Sequence, residues 1–248
     1  MMLWWGIVPE MAWQAALVAG LVWIILRAGS RWPAPLRHGL LLVALVKFIV
    51  PPLVTSPFSL QAVAGLGPSA QTVAAPGAGE TAIVPPWWVT TAPAVHAIGT
   101  ALVIAAMTAG HARLVRLRRR SRLVCDGRLA SRRDAVVDRL GMTRRPVLLL
   151  SDEVESPIAC GLRRPAIVLP ASLAASLSTE ELDAVIAHEA GHHRRHDVQV
   201  AALRALVCAL WWWHPLAWIT ARAIRHAQED ACDDLVVSTG IVSADRYC

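Results

Sequence analysis

The sequence predicts an α+β protein in which a polytopic helical membrane region is followed by a domain at the cytoplasmic face. Three observations support this: the composition, long apolar runs in the first 111 residues, and a change to short strands and amphipathic helices after them. The 248 residues are 55% hydrophobic and 17% charged, whereas soluble domains carry about 25% charged residues. We therefore expect much of the chain to lie in the lipid bilayer.

The membrane region is predicted to comprise residues 1–111. Its apolar runs approach the roughly 20 residues that a helix needs to cross a bilayer, and tryptophans flank the first of them, as expected at a membrane interface. Residues 56–86 are mostly Ala, Gly, Pro and Ser and predict a flexible extracytoplasmic loop. The three transmembrane helices are expected at about 3–26, 39–55 and 87–110.

Two basic segments predict the orientation. Residues 27–38 and 113–122 are rich in arginine, and basic flanks stay in the cytoplasm. The N-terminus and the 56–86 loop are then outside, and the rest of the chain after the third span is inside. The arginine run lacks interleaved aromatic residues or a nucleic-acid-binding motif, so we expect membrane anchoring and no direct nucleic-acid binding.

Residues 112–248 are predicted to form the cytosolic domain. Ser178 followed by Glu181 has the pattern of a capping box and begins a helix. The stretch 198–221 is apolar but is broken by His214-Pro215, and the sequence leaves open whether it spans the membrane or lies at its surface. Further elements are expected as helices at 131–141 and 217–237 and as strands at 146–150 and 166–169.

The strongest motif is His188-Glu189-Ala190-Gly191-His192. Residues four apart share one face of a helix, so both histidines can present a ring nitrogen to one Zn²⁺. Glu189 lies beside that face, where it can accept a proton from water as a general base. The motif therefore predicts the active site of a zinc metallopeptidase.

Zinc in a catalytic site takes three protein ligands and leaves one position open. A later helix offers Glu229 as the third ligand, and Asp233, four residues on, can accept a hydrogen bond from the far nitrogen of His188. A glutamate ligand on a separate helix is the gluzincin pattern. We therefore predict a gluzincin-type domain with His188, His192 and Glu229 as ligands and Asp233 supporting them.

Two other ligand sets are less favoured. A stripe of His188, His192 and His196 places the third histidine a full turn too far along the helix for a tight tetrahedron. The metzincin extension requires glycine and histidine where this chain has Arg195 and Val198. His193 is expected at the surface.

The motifs together resemble the integral-membrane metallopeptidase family of BlaR/MecR-type β-lactam signal transducers. The resemblance includes the three spans and the arginine-rich segment that follows them. Its most specific part is Glu229-Asp230-Ala231-Cys232-Asp233, together with the HExxH motif. It implies zinc bound by His188, His192 and Glu229, with Glu189 as the catalytic base. Members of the family that carry a sensor continue into an extracellular penicillin-binding domain, so we expect the peptidase domain here to be truncated at its C-terminus.

The expected function is regulatory proteolysis connected with antibiotic resistance. The resemblance implies a protease that cleaves a cytosolic repressor, a winged-helix DNA-binding protein, or itself when a signal arrives. The alternatives are a housekeeping protease that degrades damaged membrane proteins and a non-enzymatic membrane receptor or scaffold with a structural metal. An open coordination position and the presence of Glu189 argue against a structural metal.

A final prediction concerns substrate binding. The short apolar strand 166–169 lies between Pro165 and Pro170, and proline is confined to strand ends and edges. An edge strand exposes unpaired backbone groups that can pair with an extended peptide. We therefore predict an edge strand that holds the substrate across the zinc, made of Ala166, Ile167, Val168 and Leu169.

Overall fold

The computed structural model describes residues 2–29, 32–51, 87–124 and 127–241. The chain is mostly helical with one small mixed sheet, which confirms the α+β class. The helices are α1 (Met2–Ala28), α2 (Ala34–Lys47), α3 (Trp87–Arg120), α4 (Gly127–Arg139), α5 (Ala171–Ser176), α6 (Thr179–Arg194), α7 (Asp197–Leu210) and α8 (Pro215–Ser238). The strands are β1 (Arg122–Leu123), β2 (Val147–Ser151), β3 (Ile158–Cys160) and β4 (Ala166–Pro170).

Two helices in the described part of the chain are long and apolar enough to cross a membrane. They cover Ile7–Ala28 within α1 and Thr91–Arg120 within α3. The predicted span at 39–55 corresponds in its first part to α2, which has only 14 residues, less than the roughly 20 that a bilayer needs. The predicted loop 56–86 lies outside the described residues. The count of three spans therefore stays a prediction.

One apolar cluster joins the first two helices to the last two. It includes Leu41 and Leu45 of α2, Trp211 just after α7, and Ile224 and Ala227 of α8, all buried. The indole of Trp211 donates a hydrogen bond to the carbonyl oxygen of Phe48 at 2.8 Å, which satisfies its polar group inside the cluster. The helix α8 is thus held against α2.

The sheet has the strand order β1-β2-β4-β3. β2 and β4 are parallel, and β1 and β3 pair antiparallel at the two edges. The predicted strands 146–150 and 166–169 are present as β2 and β4, whereas β1 and β3 were not predicted.

The prediction that residues 166–169 form an edge strand is wrong. β4 pairs with β2 on one side and β3 on the other, and every residue in it is buried. Its backbone groups are therefore already used by neighbouring strands, so Ala166, Ile167, Val168 and Leu169 cannot hold a substrate by strand addition. The flanking prolines are compatible with an interior strand because they stand at its ends. The edge strand on this side is β3.

The helix α6 begins with the predicted capping box. The Ser178 hydroxyl accepts a hydrogen bond from the Glu181 amide, and the Glu181 carboxylate accepts one from the Ser178 amide. Leu182 and Ile186 are buried against Ile167 of the sheet. Fully burying one such side chain contributes roughly 1.5–3 kcal/mol, so the sheet fixes the position and rotation of the helix.

The stretch 198–221 is divided into two helices. α7 ends at Leu210, and α8 begins at Pro215, whose missing amide hydrogen is no loss in the first turn of a helix.

Near its C-terminal end, α8 crosses close to α6 at Gly191. A Cβ atom at that position would lie 3.3 Å from Leu235 and 3.5 Å from the Cys232 sulfur, so a glycine in the motif allows the two helices to approach.

Candidate metal centre

Two helices bring the three predicted metal ligands together. α6 carries His188 and His192, and α8 carries Glu229. One Glu229 oxygen, Oε2, lies 3.4 Å from His188 Nε2 and 3.6 Å from His192 Nε2, and all three donor atoms lie within 4.8 Å of one another. The four-residue spacing in the sequence is enough to bring the two histidines together. The packing of α8 against α6 brings the Glu229 carboxylate to them.

These separations fit a zinc ion. Two ligand atoms bound about 2.0–2.1 Å from a tetrahedral ion lie roughly 3.3 Å apart. The two measured nitrogen–oxygen distances of 3.4 and 3.6 Å are close to that value. The donor set of two imidazoles and one carboxylate is the type found in catalytic zinc sites with an open fourth position.

The other ring nitrogen of each histidine faces a carboxylate. His188 Nδ1 lies 3.0 Å from Asp233 Oδ1, which is the contact that the sequence predicts. His192 Nδ1 lies 3.0 Å from Asp197 Oδ2. Both arrangements hold the proton on Nδ1 and direct Nε2 to the side where the Glu229 oxygen lies.

Asp197 was not predicted as a partner of the site. It begins α7, is only 5% exposed, and its second oxygen accepts a hydrogen bond from the Gln228 side chain at 3.0 Å. Burial alone would raise the pKa of Asp197. The hydrogen bond with His192 and the nearby positive charges together outweigh burial, so the pKa lies below its usual value. The sequence did contain one signal for this contact. Asp197 follows the predicted ligand His192 by five residues, and a short turn after a helix can bring the chain back to the last residues of that helix.

Glu189 lies beside the histidines and points into the protein. Its side chain is 8% exposed, and burial raises the pKa of its carboxyl, although the nearby His192 and His188 oppose the change. The carboxylate also accepts a hydrogen bond from the backbone of Ala159 in β3. The same edge strand therefore orients the residue that the motif predicts as the base.

A second group of possible donors comprises His192, Asp197 and Cys232. The Cys232 sulfur lies 3.3 Å from His192 Nδ1 and 3.6 Å from Asp197 Oδ2. Burial and the Asp197 charge raise the pKa of the thiol, so it stays protonated and can donate to the carboxylate, whereas a metal requires the thiolate. These residues support His192 from behind.

The two remaining histidines of the segment lie outside the group of donors. α6 ends at Arg194, and His196 follows in a left-handed conformation with φ of 63°, so the histidine stripe is not formed. His193 is buried and its Nε2 lies 3.0 Å from the Ala166 carbonyl oxygen. The expectation that His193 is at the surface is therefore wrong: it ties α6 to the central strand.

A cavity of about 670 Å³ opens beside the candidate metal ligands. One wall is formed by β3 and the residues around it, another by α3, and a third by α7 and α8. The cavity contains Glu189 and both histidines, and Glu229 is about half exposed at its rim. The predicted base and the candidate ligand atoms therefore face the same space.

Comparison with known proteins places the chain in a family. A family model described as BlaR1 peptidase M56 matches residues 7–247. The chain is 25% identical over 146 residues to the regulatory protein BlaR1 of Bacillus licheniformis, a match that covers 59% of this chain and 24% of that protein. It is 26% identical over 83 residues to the methicillin resistance MecR1 protein of Staphylococcus aureus, covering 34% of this chain and 14% of that protein.

The chain thus matches about a quarter or less of the length of these relatives. The family model, by contrast, extends over nearly all of the chain, from within α1 to beyond α8. The resemblance seen in the sequence motifs is therefore confirmed, and the chain belongs to the BlaR1 peptidase M56 family of membrane-associated, signal-transducing metallopeptidases.

Proposed function

We propose that this protein is a membrane-bound zinc metalloendopeptidase that cleaves a cytosolic transcriptional repressor, itself, or both in response to a signal. The observation that carries the proposal is the convergence of His188, His192 and Glu229, with the buried Glu189 beside them and a cavity in front. A purely structural metal is disfavoured because no fourth donor joins these three among the described residues and the cavity reaches them.

The proposed chemistry divides between the metal and the chain. Held by His188, His192 and Glu229, zinc would act as a Lewis acid that lowers the pKa of water to about 7 and polarises a peptide carbonyl. Glu189 takes the proton of the attacking water and delivers it to the leaving amine. Asp233 and Asp197 keep the histidines in the tautomer that presents Nε2 to the metal.

The edge strand β3 is the better candidate for holding the substrate. Ala159 donates its amide to Glu189, so its backbone faces away from β4. Because both backbone groups of a residue in an antiparallel pair point to the same side, the Ala159 carbonyl also faces outward, toward the cavity. The Ala159 amide is used by Glu189, so an extended substrate segment would donate to the Ala159 carbonyl, lie along this edge and pass the proposed ligand atoms. A flexible linker fits this mode better than a folded domain.

A cleavage experiment tests the proposed function and the identity of the substrate class. Membranes containing the full chain are incubated with cytosolic proteins, and new protein N-termini are identified by mass spectrometry. We expect a zinc-dependent new terminus in a winged-helix DNA-binding protein or in the chain itself. A chelator removes the activity, and added zinc restores it, because the site holds the metal only through reversible coordination.

The control is the same membrane preparation with Glu189→Gln, in which those termini should be missing. New termini confined to damaged membrane proteins would instead support the housekeeping function. Chelator-resistant cleavage would contradict a metallopeptidase altogether.

The proposed topology has the N-terminus outside and the peptidase domain at the cytoplasmic face. The basic segments 27–38 and 113–122 support it. In a variant without native cysteines, a cysteine at Ala75 should react with an impermeant thiol reagent added to intact cells, and a cysteine at Ser131 should react only after lysis. The opposite labelling pattern would reverse the orientation, and labelling of both positions would place both segments outside.

A further inference from the structure

The cavity beside the metal ligands has a basic wall. Arg204 of α7 and Arg225 of α8 both line it, together with His111 of α3. The same cavity is also lined by the carboxylates of Glu189, Asp197 and Glu229. Two guanidinium groups are therefore built into the space that the peptidase proposal assigns to the substrate.

These guanidinium groups lack a carboxylate partner in the described part of the chain. The nearby carboxylates are engaged elsewhere: Asp197 contacts His192 and Arg195, and Glu229 faces the two histidines. Arg204 and Arg225 are close enough to repel each other electrostatically. Asp197 and Glu229 each attract Arg204 less strongly than Arg225 repels it. Because both carboxylates already face the histidines, an anion between the two guanidinium groups would offset their repulsion.

Arg204 is held in place by the protein. One terminal nitrogen of the Arg204 side chain donates a hydrogen bond to the Ala221 carbonyl oxygen at 3.0 Å. The Nε atom of Arg204 is buried without a hydrogen-bond partner among the described residues. A buried donor that makes no hydrogen bond costs free energy, so an acceptor that reaches this Nε would remove that cost. The planar fork of arginine matches a carboxylate.

The position of Arg225 defines where the anion binds along a substrate. Arg225 lies four residues before Glu229 on α8, which is about 6 Å along the helix axis. An extended peptide advances about 3.3 Å per residue. A carboxylate bound by Arg225 therefore belongs to a residue within about two positions of the peptide bond at the metal.

We propose that Arg204 and Arg225 form a specificity subsite that selects substrates with an Asp or Glu side chain next to the cleaved bond. This inference rests on the proposed peptidase function for its location in the cleavage site. The binding preference itself does not require cleavage. A chain-end carboxylate offers the same chemistry as an acidic side chain, and the experiment distinguishes the two.

The test measures peptide binding to the full chain in detergent, loaded with zinc and carrying Glu189→Gln so that peptides stay intact. Two pools of amidated decapeptides are randomised except for one central residue, Glu in one pool and Gln in the other. We expect the Glu pool to bind at least about tenfold more tightly, since hydrogen bonds to charged groups are worth about 1.5–3 kcal/mol. Arg225→Gln or Arg204→Gln should bring the ratio close to one.

Arg222→Gln is the matched control, because Arg222 lies on the same helix, is exposed and does not line the cavity. Each variant must retain zinc binding, which separates loss of the subsite from loss of folding. Arg225 is exposed, so its substitution is expected to be tolerated even if that of Arg204 is not. Equal binding of the two pools, or a preference that persists without Arg225, would overturn the proposal.

A third pool, with central Gln and a free C-terminal carboxylate, distinguishes the source of the anion. If only this pool binds tightly, the subsite recognises a chain end and the side-chain proposal is wrong. Cleavage of both pools is then measured with the wild-type glutamate restored. Selective binding without cleavage would refute the peptidase function and keep the subsite. Cleavage of both pools at equal rates would support the peptidase function and refute the subsite.

Discussion

Replacing Glu189 by glutamine is expected to abolish peptide cleavage while leaving the zinc content unchanged. The residue is not among the three convergent donors, so its loss removes no metal ligand. It is the buried carboxylate beside them, oriented by the Ala159 backbone, and a general base contributes about 10²–10⁴-fold to a rate. The measurements are metal content by mass spectrometry and cleavage of a peptide substrate by the purified full chain.

Glu180→Gln is the matched control, since Glu180 lies in the first turn of the same helix and is exposed. It should retain both zinc and activity. Cleavage by the Glu189→Gln protein at the wild-type rate would remove this residue from the mechanism. Loss of zinc in that variant would show that it acts on the metal, and the division of roles would have to be revised.

Replacing Glu229 by alanine is expected to cause the largest loss of zinc affinity on α8. The substitution removes one of the three proposed ligand atoms, the one that lies within 3.6 Å of both histidine Nε2 atoms. Asp233→Asn and Asp197→Asn should have smaller effects, roughly 10–100-fold, because they disturb only the orientation of the histidines. Competition with a zinc-binding chromophore gives all three affinities.

Asp230→Ala provides the control for this series. Asp230 neighbours Glu229 on α8 and forms an exposed ion pair with Arg37 at 3.2 Å, and such pairs contribute little to stability. Its loss should leave zinc affinity unchanged. If Glu229→Ala bound zinc as tightly as wild type while His196→Ala did not, the histidine stripe would be the ligand set instead.

The catalytic helix was predictable because its signals are local. The capping box at Ser178 and the four-residue spacing of His188 and His192 both follow from helix geometry. Glu229 and Asp233 were predictable for the same reason, although their distance from the histidines is set by the packing of α8 on α6.

The sheet order was not predictable in this way. Whether 166–169 lies at an edge or in the middle depends on β3, which has three residues and is too short to have a clear pattern of its own. The prolines at 165 and 170 suggested an edge, but at strand ends they also fit an interior position. Asp197 was missed because its contact with His192 requires the left-handed turn at His196, a conformation that histidine adopts only occasionally.

The attachment of α8 gives the metal site a second consequence. The histidines belong to the helix that packs on the sheet, whereas Glu229 belongs to a helix whose other side packs on α2. An ion bound by all three would add a link between α6 and α8, whose first part packs with α2 and whose last turn already packs with α6. Because such linkage is reciprocal, a shift of α2 that moves α8 away from α6 weakens metal binding, and metal binding in turn resists that shift. The affinity for zinc would then depend on the position of α2.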